Sequence, residues 1–202
     1  MRLGRVIICL LMLVTGLFSA RAQQLTWNLE WGFTGTMYSV HDIHYTTQEG
    51  YHMDPRYIDA SFHANGLVGF QAGIRANRRL QLDLCTGYYG IQQGIRSIPA
   101  GMRISWNFGK HPETGGITGF AEGGFGLSDA SWKRRSEYAR MGGGYRFLLG
   151  SGLFFKVFVS GQLSLAHPIP YDPFDDMFVD PSRLSRSNRF SAAFSVSAAI
   201  GF

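Results

Sequence analysis

The chain has 202 residues, a formal net charge of +5, only 16% charged residues, and 26 Gly, 16 Phe and 9 Tyr. That length suits one domain, and a mean hydropathy near zero with so few charges is unlike a soluble globule. The basic residues are scattered, with no stripe and no interleaved aromatics, so nucleic acid is excluded as a partner.

Arg2 and Arg5 precede an apolar run from Val6 to Phe18, followed by small residues at Ser19, Ala20 and Ala22. This reads as a secretory signal over 1–22, cleaved after Ala22, with a barrel domain over 23–202. The run is short for a membrane-spanning helix of about 20 residues. Arg2, Arg5 and Arg21 would leave with the signal, lowering the mature charge by three. Cys9 would leave too, so Cys85 stands alone and forms no intrachain disulfide; it reads as a small strand residue facing the interior. After residue 22 no apolar stretch is long enough to cross a membrane as a helix, so entry into a bilayer has to be by strands.

Strand-like alternation begins at once. Leu25, Trp27, Leu29, Trp31, Phe33 and Met37 share one parity, and Thr26, Asn28, Glu30, Thr34 and Thr36 the other. The pattern returns over 61–76 with Phe62, Val68, Phe70 and Ile74. After an Asn77-Arg78 turn it runs through Leu80, Leu82, Leu84 and Tyr88, and then through Ile98, Ala100, Met102, Ile104 and Trp106, with Pro99 near that strand's start. A Lys110 to Gly116 turn leads to a weaker, glycine-blurred strand from Ile117 to Leu127. A charged connection with Lys133, Arg134, Arg135 and Glu137 precedes Ala139 to Leu149. Gly150-Ser151-Gly152 turns into Leu153 to Ala166, where Phe154 and Phe158 break the polar face, and a Pro- and Asp-rich loop leads to a final strand ending at Phe202.

Eight antiparallel strands therefore form an up-and-down transmembrane β-barrel. The short connections near Asn77, His111 and Gly150 share one end, and long loops 39–60 and 167–188 lie at the other, which puts both termini on the periplasmic side of an outer membrane. A soluble barrel would carry the same alternation with its faces reversed. The export signal, the strand lengths and the aromatic residues near strand ends, such as Trp27, Trp106 and Phe202, favour lipid outside.

With the Ile98-Pro99-Ala100-Gly101-Met102-Arg103 segment, the glycine-rich Phe120-Ala121-Glu122-Gly123-Gly124 and the terminal Phe202, the chain resembles the outer-membrane protein β-barrel domain family of small porin-like barrels. The resemblance implies an integral outer-membrane location, and the terminal aromatic resembles the recognition signal for the barrel-insertion machinery. Export and insertion machinery, and outer-membrane lipid, are the partners expected on that basis. The family has no shared catalytic residues to carry over.

Eight strands enclose an interior just wide enough for side chains, so the polar parity should plug the tube. Glu30, Asp83, Arg103, Glu122, Arg140, Arg146 and Lys156 are the expected lumen network. Hairpin arithmetic sets Arg103 opposite Glu122 and Asp83 within one position of Arg103, a carboxylate, guanidinium, carboxylate cluster. In the last loop Tyr171, Phe174 and Phe178 stand among acids and prolines and form a candidate contact surface for an extracellular protein or glycan. His41, Asp42, His44, His52 and Asp54 in the first loop match no tetrahedral metal spacing, and no cofactor is expected. Ser61, His63, Ser128, Asp129, Ser164 and His167 lie near the outer rim, without a nucleophile, base and orienting acid that stand out together. The expected function is non-enzymatic, structural or adhesive through the outer loops; a narrow channel for small solutes is the alternative, and a lipid-modifying enzyme a third reading.

Overall fold

A computed structural model describes residues 24–92, 95–109, 114–128, 134–150 and 152–202. The signal expected over 1–22 lies outside them, as do Asp129 and Lys133. Twelve strands are described: β1 (Gln24–Thr46), β2 (His52–Met53), β3 (Arg56–Asp59), β4 (His63–Arg75), β5 (Leu80–Gln92), β6 (Ile95–Asn107), β7 (Gly115–Ser128), β8 (Arg134–Gly150), β9 (Leu153–Ala166), β10 (Tyr171–Asp172), β11 (Met177–Phe178) and β12 (Leu184–Gly201).

Eight of them, β1, β4 to β9 and β12, pair antiparallel with their chain neighbours, and β12 returns to β1, so the sheet closes into a ring. Closure leaves no open edge in the wall, which lets every backbone group of a spanning segment be satisfied. The faces follow the alternation. Leu84 and Met141 on the outside are 67% and 68% exposed, whereas Arg103 inside is 2% exposed. Greasy side chains thus face outward and ions inward, the arrangement of a transmembrane barrel.

Local chemistry sets the turns. Asn77 Oδ1 accepts from the backbone N–H groups of Arg79 and Leu80, both at 2.8 Å, tightening the β4–β5 connection. Gly152 takes a φ of +89°, a left-handed conformation open to glycine at little cost. Gln24 pairs with Arg75, and Trp27 exchanges backbone hydrogen bonds with Phe202, so both described ends lie beside the short turns. Trp27 meets Phe202 edge to face at 5.1 Å.

The structure departs from the sequence reading at the other end. β1 does not stop near Met37 but runs to Thr46, passing a bulge between Thr36 and Tyr38. Beyond it β2 and β3 fold back onto the same strand. Loop 39–60 is therefore largely sheet, because a strand with a partner on each side continues past the membrane-facing alternation. Loop 167–188 likewise contains the β10–β11 hairpin and the start of β12. Arg134, Arg135 and Glu137 belong to β8 rather than to a connection.

Candidate functional site

The wall brings all seven expected ionic side chains, Glu30, Asp83, Arg103, Glu122, Arg140, Arg146 and Lys156, into the buried interior. At mid-height Arg103 and Glu122 stand opposite each other on β6 and β7, and Arg103 Nε donates to Glu122 Oε2 at 2.8 Å. Arg103 Nη2 also lies 2.7 Å from Glu30 Oε2, and Arg140 Nη2 lies 2.5 Å from Glu30 Oε1. One carboxylate from β1 thus joins guanidinium groups from β6 and β8.

The remaining lone pairs are occupied. Glu30 accepts from Gln71 Nε2 and Ser197 Oγ, each at 2.6 Å. Glu122 Oε1 accepts from the Tyr89 and Tyr138 hydroxyls at 2.9 and 2.8 Å, and Arg140 Nε donates to Ser160 at 2.8 Å. Every one of the eight wall strands contributes a member. An isolated charge in such a place costs several kcal/mol, and the arrangement offsets this with opposite charge and with donors on both carboxylates.

Two departures explain the rest of the lumen. Asp83 does sit opposite Arg103 in the β5–β6 ladder, but its carboxylate accepts from Thr26 at 3.1 Å and Gln81 at 2.9 Å, and the second acid on Arg103 is Glu30. The expected Asp83 half of the cluster is thus replaced by a contact across the tube. Phe120 and Phe158, facing inward, pack edge to face at 5.2 Å, with the Arg103 guanidinium 4.2 Å over the Phe120 ring. Phe154 lies under the Arg146 guanidinium at 4.2 Å. These rings take places that alternation reserves for polar side chains because planar cations stack on them. Below, Lys156 Nζ donates to Asn28 Oδ1 at 2.6 Å.

At the loop end the first and last loops build one cap. Ile43 and Tyr45 of β1 bury against Val179, with Met53 and Leu184 packed alongside. Gln48 donates its backbone N–H to Asp175, which pairs with Arg183 at 3.5 Å. The candidate contact residues lie on this cap: Tyr171 and Phe178 are cross-strand partners packed edge to face at 5.7 Å, and Phe174 is 75% exposed. The first-loop histidines disperse, His44 to Asp54 at 2.7 Å, His52 to Thr46 at 3.2 Å and His41 to Ser187 at 2.9 Å. Among the described residues, no three acids, cysteines or histidines converge on a common point.

One rim cluster was missed by the sequence reading, because its acid, Asp59, lies in a segment with no regular pattern. His63 Nε2 lies 2.9 Å from Asp59 Oδ2 and 2.8 Å from Ser61 Oγ, and Ser61 donates both its hydroxyl and its N–H to Asp59. The Ser61 donors hold the Asp59 carboxyl well below the usual carboxylate range. A relay needs the acid and the nucleophile on opposite ring nitrogens, and here both meet the same one. The cluster is a turn lock, not an assembled nucleophile and base.

No family model matches the chain, and no curated protein matches it. Among solved structures it is similar to neisserial surface protein A, at 8% identity over 90% of this chain and 100% of that one, with a TM-score of 0.48. It is similar to OprG of Pseudomonas aeruginosa at 11% identity, covering 89% and 97%, with a TM-score of 0.46. The outer membrane protease OmpT of Escherichia coli is similar at 9% identity, covering 91% and 98%, with a TM-score of 0.38. The closed ring of this chain rests on its own ladders, and the lumen on its own contacts.

Proposed function

We propose that the chain is a non-enzymatic integral protein of a bacterial outer membrane, closed to solutes, that acts at the cell surface by presenting its cap to an extracellular protein or glycan. The observation that carries this reading is the Glu30 carboxylate held by Arg103 and Arg140 from different sides of the tube. A bore crossed by neutralised, hydrogen-bonded ions has no continuous water path at that height. The jointly folded cap, with Phe174 and Phe178 exposed, supplies the contact surface, since exposed aromatic side chains anchor partners well.

Planar-bilayer recording tests the closed bore: the folded chain gives no discrete conductance steps, and steady steps in the unmodified protein replace this reading with that of a narrow channel. Adhesion of cells displaying the chain to immobilised glycans and matrix proteins tests the cap. Phe174→Ser combined with Phe178→Ser abolishes that adhesion while leaving the barrel folded; undiminished adhesion moves the contact surface elsewhere.

A further inference from the structure

On the outside of the wall, near the loop end, the β5–β6 register passes from Thr86–Ala100 directly to Tyr89–Ser97 and skips the two steps facing Ile98 and Pro99. Proline has no N–H to donate to a ladder, so a gap of this kind is expected beside it. A cavity of about 600 Å³ opens over the gap, floored by Thr86 and Ala100 and walled by Ile98, Phe125 and Leu127, with Arg135 at its margin.

The registers arrange these residues in rows. Ile98, Leu127 and Arg135 form one row across β6, β7 and β8, with Ala100 and Phe125 in the row below, toward the middle of the wall. Arg96 lies two residues beyond Ile98, exposed on the same outward face. Arg135 pairs through Nε with Glu137 at 2.7 Å, yet its side chain remains 70% exposed, and Glu137 is shared with His167 at 3.5 Å. Ions on the outward face of a spanning wall mark the headgroup level, so the apolar groove beneath them lies at acyl-chain depth.

We propose that this groove is a lipid-binding site that holds one acyl chain of a phosphate-bearing glycolipid from the outward leaflet, with Arg96 and Arg135 on its phosphate. Charge complementarity selects an anionic headgroup: the comparable recess over Gly119, Met141 and Gly161 has no cation in its lining, whereas this one has Arg135 at its margin. The proposal rests on the outer-membrane reading above, because it needs the loop end to face the leaflet that carries such glycolipids.

The test uses the full-length folded chain in detergent micelles and native mass spectrometry. The probes are a bisphosphorylated lipid A-type glycolipid, its dephosphorylated form and phosphatidylglycerol. The phosphorylated glycolipid is retained, and Arg135→Gln weakens its retention about fivefold, as expected for one arginine at a lipid headgroup. Ala100→Trp, which fills the recess from an exposed position, weakens it as well. Equal retention by both variants overturns the site, equal retention of the dephosphorylated form overturns the phosphate contact, and equal retention of phosphatidylglycerol overturns the glycolipid assignment. Heat-modifiable migration in gels is read on every sample: a chain lacking it refutes the barrel itself, whereas a folded barrel without retention refutes only the groove.

Discussion

The middle of the lumen and the outer cap are held by opposite kinds of force. In the lumen, Glu30, Arg103, Glu122 and Arg140 form a buried ionic cluster tied to every strand of the wall. In the cap, a small apolar core of Ile43, Tyr45 and Val179 does the work, edged by exposed ion pairs such as Arg56 with Asp42 at 3.3 Å. A barrel with lipid outside gains little by burying more grease within, so specificity there comes from charges that fit in one way. Water surrounds the cap, and the ordinary hydrophobic economy returns.

If the comparison is right, damage to the lumen is global and damage to the cap is local. Glu30→Ala has the largest effect: it takes the close carboxylate from buried Arg140, leaving it Glu122 at 3.9 Å, removes one of the two carboxylates on Arg103, and destabilises the barrel by about 3–5 kcal/mol, seen as a lower temperature for loss of heat-modifiable migration. Arg103→Ala costs less, about 2–3 kcal/mol, since Glu122 keeps Tyr89, Tyr138 and the more distant Arg140. An unchanged melting transition for both would mean that the cluster decorates the lumen without holding it. Val179→Ala, at about 1–2 kcal/mol, should leave barrel melting untouched while exposing the cap to faster proteolysis. A coincident fall in barrel melting would join the two regions into one cooperative unit.

The smallest effect is electrostatic and confined to the rim. The Asp59 carboxyl is depressed by its Ser61 donors, so the stability it contributes is present above the ordinary carboxylate pKa and is lost only as pH falls through the lower, folded value. An NMR titration should find this carboxylate still ionised at about pH 3, below the usual aspartate value. Protonation at the ordinary value would dissolve the turn lock.

The wall was legible because period two survives even glycine-rich stretches. Hairpin counting placed Arg103 opposite Glu122, since strands joined as an antiparallel neighbour pair keep a constant sum of partner numbers along the ladder. The Glu30 contact was not legible, because it spans the tube and depends on the barrel's diameter rather than on any one turn. Phe120 was absorbed by the glycine-blurred strand, and Phe158 was visible only as a flaw in the alternation; stacking under guanidinium groups is a pairing that hydropathy does not encode. The cap escaped for another reason: β2 and β3 are too short to carry a period, and they pair with a strand that looked finished.

The bulge between Thr36 and Tyr38 gives that overlong strand two gauges. Before it, odd-numbered positions such as Trp31 and Phe33 look toward lipid; after it, odd-numbered Ile43 and Tyr45 look inward. A single surplus residue, Met37, is therefore the coupling between a membrane rail and an aqueous one. Excising it would set Thr36, Tyr38 and Ser39 in unbroken alternation opposite Ala193, Ala192 and Ser191, so the cap's core would keep its inward face and only the extra bend and twist of the bulge would vanish.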